Sequence, residues 1–122
     1  AMAIAFAGEG AAIAVGYNLS AEGAADTVET IRRAGGDAEA FQGDITVPGV
    51  VEDIVAKVVD RFGTVNILVN NAGLVSASPL VEMSVETWDS MFAINVRAMF
   101  LCSRAVMPHM LKQKFEKLRF KY

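Results

Sequence analysis

Cysteine occurs once in this chain, at Cys102, and histidine once, at His109. A lone cysteine excludes a disulfide framework, and one thiol with one imidazole gives no metal-ligating cluster, so no metal site is expected. Without an adjacent base, Cys102 reads as a small buried hydrophobe rather than a nucleophile. His109 follows Pro108 near the end of a helical stretch and reads as a packing or solvent-facing residue, with general base as the competing role. Long unbroken apolar runs are also missing, so nothing reads as a membrane span. The first residues lack the basic segment that starts a signal peptide. Charge of either sign is modest. A net charge of −3 argues against nucleic acid as a partner. What is present is apolar: hydrophobic residues make up 53% and charged residues 20% of 122. That is enough to build the core of one small domain, and it excludes intrinsic disorder. A cytoplasmic setting is expected.

The pattern along the chain alternates strand and helix. Ala11 to Tyr17 reads as a short buried strand. Ser20 is placed to cap a helix on which Ala24, Val28 and Ile31 share one face, and Gly35-Gly36 ends it. Ala38 to Gly43 reads as a second strand, leading into Asp44-Ile45-Thr46. Thr46 and Pro48 open a helix with an apolar stripe of Val51, Ile54, Val55, Val58, Val59 and Phe62, closed by Gly63. Ser84 caps a long helix reaching about Lys112. This order implies parallel βαβ units. The long helix is apolar around most of its circumference, through Val85, Trp88, Phe92, Val96, Met99, Phe100, Val106 and Met110. Such a helix is either deeply buried or packed on a partner.

Between the last two helices lies Val65-Asn66-Ile67-Leu68-Val69-Asn70-Asn71-Ala72-Gly73. The apolar run suits a strand buried on both faces of a parallel sheet. Ligands of open α/β sheets bind just beyond the carboxyl ends of the strands, where Asn70-Asn71-Ala72-Gly73 falls. Two carboxamides there donate and accept without charge, and Ala72 and Gly73 leave room for a ligand against the backbone. The competing reading is a strand followed by an ordinary Asn/Gly turn. Ser76 and Ser78 follow, either lining a substrate pocket or forming a polar loop.

Asn70-Asn71-Ala72-Gly73, Gly43-Asp44-Ile45-Thr46 and Asn95 within Ile94-Asn95-Val96 together resemble the short-chain dehydrogenase/reductase family, most closely its 3-oxoacyl-(acyl carrier protein) reductase type. Order and spacing agree up to about Lys114. The resemblance implies an α/β fold, an incomplete Rossmann-like doubly wound parallel sheet lacking the first strand and the later strands. It implies a partial dinucleotide-binding domain over 1–114 and a divergent tail over 115–122. Asp44 and Ile45 would border the adenine ring. Asn70, Ala72 and Gly73 would lie along the cofactor ribose. Asn95 would be the family's catalytic asparagine, bending the long helix and holding a water in the proton relay. Outside that context, Asp44 reads as a capping or turn aspartate, and Asn95 as a mid-helix residue bonding its own backbone. The substrate would be a small ketone or secondary alcohol.

NAD-specific sites of this type carry an acid at the end of the second strand, for the ribose 2′-hydroxyl. Here that edge is Gly16-Tyr17-Asn18-Leu19-Ser20, without an acid, which favours NADP(H) over NAD(H). Asn18 and Ser20 could donate to a 2′-phosphate.

Several family features are not in these residues. Gly8-Glu9-Gly10 precedes a strand, whereas a phosphate-binding turn follows one. Ala1 to Ala7 resembles the middle of the helix beyond that turn. The catalytic Ser and the Tyr-x-x-x-Lys pair are missing. At the far end Leu118, Phe120 and Tyr122 alternate with Lys117, Arg119 and Lys121, a pattern that suits an exposed edge strand. A break of this kind has the form that a shifted reading frame or the end of an expressed piece produces. With the first strand missing, the sheet would flank a gap of unpaired backbone groups, so the isolated chain is expected to be unstable or to fill that gap by pairing. An oxidoreductase inactive over these residues is the first functional reading. The alternative is a non-catalytic partner of full-length relatives, associating through helix 84–112, and a homo-oligomer through that helix is expected. A phospho-receiver using Asp44 would need an acidic pair and a lysine that are not there.

Overall fold

The computed structural model describes residues 1–112, and the expectations for 115–122 lie outside them. The chain forms two compact units, Ala1–Asp44 and a second beginning at Ile45.

The first unit opens with helix α1, Met2–Gly8, as the resemblance of Ala1–Ala7 to a helix implied. Gly10, at φ 88°, ends it. Gly10 N–H donates to Ala7 O, and Ala11 N–H to Phe6 O. Gly8-Glu9-Gly10 is therefore a helix terminus, where glycine takes the left-handed conformation without a Cβ penalty. Strand β1, Ile13–Tyr17, follows. Helix α2 runs Ala21–Arg33 and strand β2 Ala38–Gln42. The strands pair in parallel, Ile13 opposite Ala38 through Tyr17 opposite Gln42. Beyond the strands, Gly43 N–H still donates to Tyr17 O.

Val28, Ile31 and Ala38 form this unit's core, with Ala3, Ala7, Ile13, Val15 and Ala40 packed on it. The predicted Ala24, Val28 and Ile31 stripe is the buried face of α2. Two expectations are corrected. Strand β1 is half-buried rather than buried, because Ile13 and Val15 face the core while Ala14 and Gly16 are exposed. Ser20 occupies the N-cap position of α2 but makes no side-chain capping bond. Its Oγ lies over Gly23, where an added Cβ would sit 2.8 Å away.

The second unit begins with helix α3, Pro48–Phe62, whose Pro48 sits in the first turn and whose Gly63 closes it at φ 79°. Proline's fixed φ and missing N–H suit that position. Helix α4, Val85–Phe92, is capped by Ser84, whose side chain accepts from Thr87 N–H. A π-helical turn, Ala93–Arg97, joins it to helix α5, Ala98–Lys112. Val51 and Val55 of α3 pack against Leu101, Val106 and Met110 of α5, with Val65 and Leu68 against the same cluster. Arg104 bridges to Glu52 across these helices at 3.0 Å.

The expected central strand, Val65 to Asn70, is not a strand here. The only sheet among the described residues is the β1–β2 pair. A strand is stabilised by a laddered neighbour, and without one residues 65–70 form an irregular segment with Ile67 60% exposed. One helical stretch passes a membrane-span test by length and composition alone, a test that the core helix of a globular protein also passes. That stretch, Val85–Lys112, spans 28 residues at a mean hydropathy of 1.2 over its most apolar window.

Candidate functional site

The π-turn organises the site. Ala98 N–H reaches back five residues to Ala93 O, and the wider turn carries Asn95 within it. The Asn95 carboxamide does not bond its own helix backbone. Its Oδ1 accepts from Leu74 N–H at 2.8 Å, and its Nδ2 donates to Leu74 O at 2.7 Å. Both polar groups of one peptide residue are thus matched by one side chain, the pairing that a neighbouring strand would otherwise supply. Flipping the amide would set donor against donor and acceptor against acceptor, so the orientation is determined. Leu74 follows Asn70-Asn71-Ala72-Gly73 directly. The helix therefore grips the segment where it leaves the expected ligand edge. π-turns are rare and occur often at functional sites.

Asn70, Ala72 and Gly73 are exposed, as is Asn71. Asn95 is half-buried. Of the predicted site residues, the structure brings Gly73 and Asn95 together: a Cβ at Gly73 would lie 3.3 Å from Asn95 Oδ1. Ile45 is half-buried and packs on the Val51–Met110 cluster. In the first unit, Asp44 is half-buried beyond the end of β2. There Gln42 Nε2 donates to Asn18 O at 3.1 Å, tying β2 to the turn after β1. Asn18, Leu19 and Ser20 are exposed on that turn, with no carboxylate among them. Asn18 and Ser20 leave side-chain donors exposed at this edge.

The remaining candidates are chemically quiet. Burial pushes the Cys102 thiol pKa up, which disfavours the nucleophilic thiolate. His109 lies half-buried in an open groove of about 460 Å³ with Val55, Val59, Ala105, Glu52 and Asp60. Ser76 Oγ donates to Ser78 Oγ at 3.1 Å and accepts from Ser78 N–H at 3.3 Å. The two serines thus hold a polar loop together. Among the described residues, no group of three or more potential ligands could hold a metal ion.

Leu74 is the participant that sequence reasoning missed. It contributes backbone groups only, and no side-chain type advertises such a role. The signal that existed was the family resemblance at Asn95, which marks the helix side of the contact and not the loop side.

Comparison with known proteins gives this geometry a context. The sequence profile of the short chain dehydrogenase family matches residues 1–116. A 3-oxoacyl-[acyl-carrier-protein] reductase of Synechocystis is 35% identical over 114 residues, covering 93% of this chain and 46% of that protein. A dehydrogenase/reductase from Sinorhizobium meliloti superposes with a TM-score of 0.87 at 37% identity, over 89% of this chain and 43% of the other. A short chain dehydrogenase from Burkholderia cenocepacia, solved in complex with NADP, gives a TM-score of 0.85 at 37% identity, over 89% and 44%. The chain thus spans about half the length of the relatives it matches. Profile, relatives and fold agree: the chain belongs to the short-chain dehydrogenase family.

Proposed function

We propose that this chain is the cofactor-binding part of an NADP(H)-linked oxidoreductase acting on a ketone or secondary alcohol. The observation that carries the reading is the two-point bond from Asn95 to Leu74. It ties the Asn-Asn-Ala-Gly edge to the long helix at the residue given a catalytic role. In this reading Asn70, Ala72 and Gly73 border the cofactor ribose, and Asp44 and Ile45 the adenine. Asn18 and Ser20 donate to the 2′-phosphate, with no acid in that turn to repel it. A dinucleotide held there would supply the hydride. Asn95 holds a water by which a proton reaches the substrate oxygen. Similarity to an NADP complex supports the cofactor, and a cytoplasmic setting fits. Asn95 is the single member of the family's catalytic set among these residues, so they should bind dinucleotide without turning over. Calorimetry with NADPH and NADH, together with a ketone-reduction assay on the 122-residue chain, tests this. Tighter binding of NADPH with no turnover is expected. Preference for NADH, or no binding of either, would defeat the reading.

The long helix favours a second property, self-association. Trp88, Phe92, Val96, Phe100 and Leu111 are exposed on it. Trp88 and Phe92 stack at 4.7 Å, and the Arg104 guanidinium lies 5.4 Å from the Phe100 ring centre. A second copy of this helix, or that of a full-length relative, would bury this surface. Phe100→Glu should convert an oligomer to monomer by sedimentation while preserving helicity, because Glu four residues before Arg104 makes a favourable helical pair. A wild-type chain that is already monomeric would remove the proposal.

A further inference from the structure

We infer that Gly73 is a positioning residue that acts through Asn95. Glycine is usually required for positive φ or for space. The positive-φ glycines among the described residues are Gly10, Gly35 and Gly63, so Gly73 is not required by its backbone angle. Space remains. A Cβ on Gly73 would come within 3.3 Å of Asn95 Oδ1, inside the comfortable carbon–oxygen separation. Whether such an approach is tolerated depends on whether the oxygen can retreat. It cannot do so freely. Oδ1 accepts from Leu74 N–H at 2.8 Å, while Nδ2 of the same rigid plane donates to Leu74 O at 2.7 Å. Moving the carboxamide away from residue 73 lengthens or bends at least one of these bonds. Asn95 also sits in the π-turn, between Ala93 and Arg97, whose backbone is already fixed by the helices on either side. Gly73 therefore leaves the gap through which a helical side chain reaches the loop backbone.

This goes beyond a role for Gly73 in giving a ligand room. Its missing side chain serves the protein's own contact, and the position of the loop from Leu74 onward depends on it. The bearing on catalysis rests on the oxidoreductase reading. The contact itself does not, and its test uses neither cofactor nor turnover.

The test is a double-mutant cycle read by amide hydrogen exchange on the full chain. Gly73→Ala should speed exchange of the Leu74 amide about ten-fold and leave the Leu101 amide in the core of α5 unchanged. In an Asn95→Ala background, where the carboxamide is gone, the same substitution should change Leu74 exchange by less than about two-fold. The double variant should be no less stable than Asn95→Ala alone, a comparison that holds even if Gly73→Ala by itself fails to fold. Equal acceleration with and without Asn95, no acceleration at all, or acceleration shared by Leu101 would each overturn the inference.

Discussion

Ile31→Ala is expected to lower the stability of the first unit by about 3 kcal/mol, within the range of about 2–5 for such truncations. Ile31 is 1% exposed and is the largest fully buried side chain among the described residues. The magnitude depends on whether neighbours can close the cavity. Much of the surrounding core is alanine: Ala3, Ala7, Ala38 and Ala40 pack there beside Val28, Ile13 and Val15. Alanine has no rotamer with which to reach into a void. The far side is closed by Gly36, whose N–H donates to Ile31 O at 3.0 Å and where an added Cβ would come 2.8 Å from Ile31 Cγ2. Backbone there is bonded to the residue being truncated, so it cannot slide inward cheaply. Small domains hold about 5–15 kcal/mol in total, and a unit of two helices and two strands lies towards the low end. The substitution should therefore leave the unit with only about 2 kcal/mol of stability. Urea titration followed by circular dichroism, with exchange at α2 and β1 amides, measures it. A loss below about 1 kcal/mol would mean that the core repacks and that its alanine-rich lining closes over the void.

The parts of the fold that were legible in the sequence are those determined by near neighbours in the chain. Helix α2 follows from Ala24, Val28 and Ile31 falling on one face, which is the face it buries. Helix α3 follows from Pro48 at its start and Gly63 at its end. Ser84 caps as its type and position suggest. What failed depended on distant chain or on side-chain geometry. Val65 to Asn70 has the composition of a buried strand, but a strand exists only with a laddered neighbour. Ser20 is the right residue in the right place, yet its Oγ lies over Gly23 and makes no cap. From its pattern the long helix reads as continuous from Ser84 to Lys112; only the resemblance at Asn95 implied a bend, where the π-turn Ala93–Arg97 lies. In the site, Asn95 stood out through the family resemblance, since outside that context it reads as a mid-helix residue bonding its own backbone. Its partner did not, because Leu74 is 21 residues away and offers only backbone.

Asn95→Asp should make stability, measured relative to the parent chain, fall as pH rises. In the parent, the side chain must both accept from Leu74 N–H and donate to Leu74 O. A protonated carboxyl can do both, with its carbonyl oxygen as acceptor and its hydroxyl as donor. A carboxylate can only accept, so ionisation sets a charged oxygen against the Leu74 carbonyl in a half-buried position. Desolvation adds to that penalty, while the Leu74 N–H partly offsets it. The neutral form is favoured in the folded state, so the folded pKa of the introduced carboxyl lies above its unfolded value. The sign follows from linkage: the contribution is fully present below the unfolded pKa and is lost as pH climbs through the folded one. Below about pH 4 the variant should approach the parent, and near pH 7 it should be weaker by about 1 kcal/mol, the low end of the cost of an unmade hydrogen bond, because solvent reaches both bonds. Thermal melts of both chains across that range provide the measurement. Asn95→Ala, which neither donates nor titrates, should show a deficit that does not change with pH. A flat difference for Asn95→Asp, or one that shrinks as pH rises, would mean that the Leu74 carbonyl is not the group the side chain answers. The long helix would then hold the Asn-Asn-Ala-Gly edge by packing rather than by amide pairing.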